Sequence, residues 1–331
     1  MPWPFFAYTG AKAPALLRNR GVFGGELDMM RQPDVRRGIP LALCAGTLLG
    51  AGAPLSKLLV SRMDPIALAG ALFTGPTLIA ALALLLGFSN RGPYARVTRR
   101  DVPRLAVAVL TGTIAAPVLL MYGIRISSGF AASLMLNMEA VATALIALVF
   151  FGERVFPSIW LAVLCMTVTG ILVTGMGGEG SATVAGAMLI LGSCAAWGIE
   201  TNIVTTLSSR DPLLVTLIEC LPAAVILTLV AAFRVGGLPP VRDLLLGVLL
   251  GSVSNGAGLL LYFVSLRTMG AARTAAFAGV GPLAGALLSL VLFRTPVTWV
   301  VVAALGLTTA AVLVVGRDDE RHSLAWETAE P

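Results

Sequence analysis

Ten stretches of about twenty largely apolar residues follow one another along almost the whole chain. They fall at approximately 38–60, 65–88, 102–123, 128–151, 157–176, 183–207, 211–233, 243–266, 271–293 and 297–316. Each is long enough to cross a hydrocarbon core of about 30 Å as a helix, and a helix lets one segment satisfy its own backbone hydrogen bonds in lipid. The spacing therefore predicts an all-α integral membrane protein with ten transmembrane helices. Composition agrees: 57% of residues are hydrophobic and 12% charged, against about 25% charged in soluble domains. Connections such as "SNRGPYARVTRRD" at 89–101, "GGEGSA" at 177–182 and "RVGGLPPVRD" at 234–243 leave no room for an extramembrane catalytic domain.

The net charge is +6, but the basic residues are scattered through short loops, without a basic stripe or interleaved aromatics. That pattern excludes a nucleic-acid surface and reads as a topology signal. An even number of spans puts both termini on one side. If that side is cytoplasmic, it collects seventeen Lys and Arg against five on the other, so the positive-inside rule places both ends inside. With 21 Arg, two Lys and abundant Ala, Gly and Val, the gene reads as GC-rich and the host as bacterial, hence a multi-pass protein of the cytoplasmic (inner) membrane. Cys44, Cys165, Cys194 and Cys220 each fall inside a span with no C-x-x-C pair and read as small buried hydrophobes. The single histidine, His322, sits in the polar tail, which excludes an intramembrane histidine relay, a catalytic triad or a zinc-histidine site. "GAGAPLSK" at 50–57 lacks the ending of a phosphate-binding loop, so no nucleotide or other cofactor is expected.

The chain repeats itself. "YGIRISSGFAASLMLNMEAVATALIALVFFGERVFPSIWLAVLCMTVTGILVTG" answers "YFVSLRTMGAARTAAFAGVGPLAGALLSLVLFRTPVTWVVVAALGLTTAAVLVVG", pairing Tyr122 with Tyr262, Gly129 with Gly270, Phe151 with Phe293 and Trp160 with Trp299. Two units of five spans follow, 38–176 and 183–316, flanked by an N-terminal cytoplasmic segment 1–37 and a cytoplasmic tail 317–331. An odd number of spans per unit forces the second unit to enter from the opposite side, so the two five-helix repeats are inverted. Inverted repeats are a recurring transporter design, with the substrate held near the midplane between the halves. "GTLLG" at 46–50, "GVLLG" at 247–251 and "GPLAG" at 281–285 are small-xxx-small patterns that allow close helix approach; they read as packing between the halves, and a homodimer stays open.

At these residues the chain resembles a known family. "FFGERVFPSIWLAVLCMTVTGILV" and its second copy resemble the closing helix pair of EamA-type transporters of the drug/metabolite transporter superfamily. "SCAAWGIETNIVTTLSSRDP" resembles that superfamily's sixth helix and following loop, and "LMLNMEAVATALIALVFFGE" a subset with a carboxylate at this place. The resemblance covers approximately 38–316. It implies ten helices in two five-helix repeats, a cavity lined by the first, third, fourth, sixth, eighth and ninth, and peripheral fifth and tenth helices. The second copy departs from the family pattern at "VLFRTPVTW", where a Gly-Glu is usual, so it lacks the partner that Glu153 could offer Arg154. The superfamily carries many kinds of cargo, and membership names none.

Polar residues inside the spans are the candidate site. Glu139 lies about midway along the fourth span, where an acid by default faces a cavity or a partner; it either binds and couples protons or ties the bundle together through Asn137. Its counterpart region holds Gly281-Pro282, which frees backbone groups at similar depth. Glu200 and Asn202 cannot share a helix face; Glu200 is placed toward the cavity, with a cytoplasmic capping role as the alternative. Glu219 is a weaker candidate. Lys57 either attracts an anionic group or snorkels to the surface. Asn255 offers substrate contact or an interhelical hydrogen bond, and Tyr122 and Tyr262 complete the set.

These readings converge on a secondary transporter, outward in direction, that moves a small amino acid or a neutral polar or amphipathic metabolite by alternating access, with protons coupled through Glu139. An uncoupled facilitator of the same fold is the alternative. An integral membrane enzyme acting on lipid-linked substrates is disfavoured, because the loops lack clustered His, Asp and Glu. The first 29 residues, opening "MPWPFFAYTGAKAPALLRNRGVFGGELD", form neither a clean signal peptide nor a span. Gly24-Gly25-Glu26 can be encoded as a ribosome-binding sequence ahead of Met29. A native start at Met29 or Met30 is expected; an intact mass of natively expressed protein that includes Met1 refutes it.

Overall fold

A computed structural model of the protein describes residues 35–88, 95–151, 157–175, 177, 180–207, 209–269 and 271–328. The start-site expectation and the pair Glu153 and Arg154 lie outside the described residues. Ten helices are present: α1 (Val35–Val60), α2 (Pro65–Leu85), α3 (Val102–Arg125), α4 (Gly129–Met135 and Met138–Phe151), α5 (Pro157–Gly175), α6 (Val184–Thr205), α7 (Pro212–Val235), α8 (Val241–Met269), α9 (Ala271–Ala278 and Gly281–Phe293) and α10 (Trp299–Thr328). Seven are long and apolar enough to cross a membrane; the apolar stretches of α5, α9 and α10 are shorter, at Trp160–Gly175, Gly281–Phe293 and Trp299–Val314. Large apolar side chains such as Leu78, Leu164, Leu229 and Phe233 stand exposed on outward faces, where a lipid tail is as good a neighbour as another leucine.

Matching irregularities mark the two halves. α2 and α7 both start at an Asp-Pro pair. Asp64 accepts the N–H of Ile66 at 2.9 Å and Asp211 that of Leu213 at 2.9 Å, while Pro65 and Pro212 occupy positions where no helical N–H is lost. α3 and α8 each widen into a seven-residue π segment, at Val109–Ala115 and Gly251–Ala257. α4 and α9 are each interrupted, after Met135 and after Ala278. These marks recur at the same place in each set of five, consistent with inverted repeats.

The sequence expects freed backbone at Gly281-Pro282, and the interruption does fall just before it. Pro282 stands at the start of the new segment, where its missing N–H costs nothing. Pro117 stands likewise just past the first π segment, at the start of regular helix, whereas the break in α4 and the second π segment have no proline beside them.

Contacts between the halves are made by backbone. A Cβ on Gly50 would collide with the carbonyl of Gly281, one on Gly285 with the carbonyl of Gly50, and one on Gly46 with that of Ala278. α1 therefore lies directly on the interruption of α9. In the mirrored place, Gly198 of α6 lies against the backbone of Ala142 and Thr143 in α4. Likewise Gly251 of α8 meets the carbonyl of Leu72 in α2, and Gly75 the backbone of Ser252. All three small-xxx-small patterns thus pack helices of one half on helices of the other. Replacing Gly50 by Leu is expected to destabilise the protein by about 3 kcal/mol, the upper end for overpacking, because a backbone carbonyl cannot step aside. Gly170→Leu, where nothing lies within 4 Å, serves as the control. Thermal unfolding in detergent reads both, and equal midpoints would refute the contact.

Candidate functional site

A cavity of about 70 Å³ lies between the halves. α1 contributes Ala53 and Ser56, α2 Phe73, α6 Trp197 and α8 Asn255, and Leu136, at the α4 interruption, also reaches it. The second helix takes part, which the family resemblance did not imply. No lining residue is charged. The volume holds a few waters and falls well below the several hundred Å³ usual for a metabolite site. The indole N–H of Trp197 is buried without a hydrogen-bond partner; as a donor only, it calls for a carbonyl or carboxylate oxygen. Among the hydrogen-bonding cavity residues, sequence reasoning named Asn255 and missed Ser56, Trp197 and Ser254, because single serines and a tryptophan do not interrupt an apolar helix.

Glu139 is 2% exposed and sits in the first turn of the second α4 segment. It lies midway along the span Gly129–Phe150, as the sequence suggests, at a point where the helix is interrupted. Its N–H bonds to the Leu136 carbonyl at 3.1 Å, and its own carbonyl accepts from Thr143 Oγ1 at 2.8 Å. A carboxylate in a helix's first turn is favoured by the N–H groups and dipole of that terminus, so the interruption lowers the cost of charge at this depth. Asn137 donates to the Leu134 carbonyl at 3.1 Å and closes the end of the first segment. Cys194 of α6 adjoins Glu139 and points its thiol at the Met135 carbonyl, 3.7 Å away.

The remaining candidates fall elsewhere. Gly281 and Pro282 are buried beneath α1. Tyr262 packs with Ala45 and Ala278 in a separate cluster. Glu200 is buried against Gly112 in the α3 π segment, beside Glu219 of α7. Asn202, on the other face of α6, donates to the Thr143 carbonyl of α4 at 3.0 Å. Lys57 donates to the carbonyls of Ile124 at 2.8 Å and Arg125 at 3.1 Å, capping α3 where a cation suits the helix dipole. Tyr122 accepts from Arg234 Nη1 at 2.8 Å.

The last two contacts lie on one face of the bundle, the Arg125 face. There the loop after α3 also pairs with the loop before α6, through Ser128 N–H to the Ser181 carbonyl at 2.9 Å and Ser128 Oγ to the Gly180 carbonyl at 2.8 Å. On the opposite, Arg210 face, Asp101 at the start of α3 forms an ion pair with Arg210 before α7 at 3.1 Å. Ala95 N–H bonds to the Ser209 carbonyl at 3.0 Å beside it. The N–H of Thr98, with its hydroxyl and the Arg210 guanidinium, holds the Asp101 carboxyl below its ordinary range. In the repeat, Met63-Asp64-Pro65 stands where Arg210-Asp211-Pro212 stands, so Arg210 has no basic counterpart at the mirrored position on the Arg125 face.

The comparisons agree with this architecture. A solved crystal structure superposes with a TM-score of 0.60 at 17% identity, covering 84% of this chain and 98% of the other, a likeness of fold. A protein of Methanothermobacter thermautotrophicus described as an uncharacterized transporter is 22% identical over 273 residues, 77% of this chain and 78% of its own length. The model of the EamA-like transporter family matches twice, over residues 36–176 and 184–317, one match for each set of five helices. The chain is an integral membrane protein and belongs to the EamA-like transporter family.

Proposed function

We propose that the protein exports a small amino acid or neutral polar metabolite across the bacterial cytoplasmic membrane by alternating access, with transport coupled to protons through Glu139. Both termini and the Arg210 face are cytoplasmic in this reading, as the distribution of basic residues favours. The observation that carries it is the buried Glu139 at an intramembrane helix start, one turn from the cavity residue Leu136. Helix interruptions at the interface of inverted repeats are where substrates and coupling ions bind in many secondary transporters. The lining supports an uncharged or zwitterionic cargo: it offers Ser56, Trp197 and Asn255 as hydrogen-bonding groups and has no cation to hold a phosphate.

Reconstitution into liposomes loaded with a pH-sensitive dye tests the proposal. Under an imposed proton gradient, one or more amino acids or central metabolites should discharge the gradient. The Glu139→Gln protein should insert normally and lose proton movement by at least tenfold. Labelled-substrate flux that is equal in both proteins and moves no protons would make the protein a facilitator and return Glu139 to a structural role.

A further inference from the structure

Glu200 and Glu219 are 1% and 6% exposed, on adjoining helices α6 and α7. Each retains a buried carboxyl oxygen without a hydrogen-bond partner, Oε2 of Glu200 and Oε1 of Glu219. They are close enough to repel if both were ionised. The space they occupy is made for them by the α3 π segment. A Cβ on Gly112 would overlap the Glu200 carboxyl, and Thr113 Oγ1 bonds at 3.1 Å to the Glu219 carbonyl. An unneutralised acid pair at this depth is costly, and packing alone would be better served by leucine.

The repeat says what the place is for. The Asp-Pro starts of α2 and α7 set a shift of 147 residues, 211 against 64, and the π segments a shift of 142, 251 against 109. Under these shifts Glu200 answers Ala53, Glu219 answers Leu72, Gly112 answers Ser254 and Thr113 answers Asn255. All four answering residues line the cavity. The acid pair therefore occupies the mirror image of the cavity, collapsed here and nearer the Arg210 face. When two inverted halves exchange conformations, the mirrored cavity is the one that opens.

We propose that Glu200 and Glu219 form a proton-binding carboxyl pair that holds one shared proton while sealed against the α3 π segment and meets water on the Arg210 face when the halves exchange conformations. The proposal rests on the alternating-access reading and is independent of a role for Glu139. The ligand is a proton moving between the pair and water, with no bond to carbon made or broken. Among the described residues, the neighbouring titratable groups do not compensate the pair. Cys220 adjoins it on α7, α2 carries no titratable or charged residue, and α3 offers only exposed Arg104 near its start and Tyr122 and Arg125 at its far end. Glu139 of α4 lies by Cys194, about 9 Å of helix from Glu200, and Cys165 of α5 is grouped with Val141 and Met166. Asp101 and Arg210 pair with each other beyond the helix ends.

Infrared difference spectra of the reconstituted protein on raising the pH test the proton. The wild type should lose a protonated-carboxyl band. Glu139→Gln should keep the pair's share of it, each of Glu200→Gln and Glu219→Gln should shift that share, and the double variant should abolish that share. A band lost in Glu139→Gln and untouched in the double variant would overturn the pair and leave Glu139 standing. Displacement of the band by sodium at constant pH would also overturn it, in favour of a metal cation. Opening has its own readout in Cys220, buried beside the pair. With the other three cysteines replaced, Asp101→Asn should raise labelling by an impermeant thiol reagent severalfold from the Arg210 face. Labelling from the Arg125 face, or no change, contradicts the predicted opening.

Discussion

In hydrocarbon there is no water to take up an unpaired N–H or C=O, so every departure from regular helix must be met by protein. Four such departures occur between the halves: the π segments of α3 and α8 and the interruptions of α4 and α9. Two are backed directly by a neighbour's backbone: α1 lies on the α9 interruption through Gly46 and Gly50, and α2 lies on the α8 π segment through Gly75. Irregular backbone and glycine therefore belong together in this molecule, since only a residue without a side chain brings a second backbone near enough. The candidate groups follow from that arrangement, because an interruption supplies the helix terminus at Glu139 and a π segment supplies the hollow at Gly112.

The halves match in backbone and differ in chemistry. Where the first presents Ala53 and Leu72 to a cavity, the second presents Glu200 and Glu219 to a sealed hollow. In the proposed exchange of conformations, the matched backbone makes two states interconvertible, and the side chains decide what each state binds. The absence of charge in the present cavity and the concentration of acid in its mirror image are then two sides of one division of labour.

Much of the architecture is legible in the sequence because it rests on long-range patterns of polarity. The ten apolar runs and their repeat place the helices within a few residues, and the small-xxx-small patterns mark the contacts between halves. The local irregularities are not legible. The α4 interruption contains neither proline nor glycine, so its deviation is imposed by the helices packed against it, whereas the first π segment is followed by Pro117, whose missing N–H removes the regular bond to the Thr113 carbonyl. That is why the sequence places Glu139 midway along the fourth span without showing that a helix segment starts there. For the same reason Glu219 looks peripheral in sequence, since its meeting with Glu200 depends on how α6 and α7 pack. Trp197 is hidden too, as a tryptophan in an apolar run carries no sign that its N–H is left over. Lys57 was open between anion attraction and snorkelling, and the structure gives it a third task, closing the end of α3.

The ion pair of Asp101 with Arg210 exists on one face, with Met63 at the mirrored position on the other. In the proposed exchange of conformations, the end state that keeps this pair gains a Coulombic contribution that its mirror image does not share. Mobile ions screen such an attraction within about 10 Å at ordinary salt, and the bilayer keeps the two solutions apart. In that reading the balance between the states responds to the ionic strength on the Arg210 face through this pair.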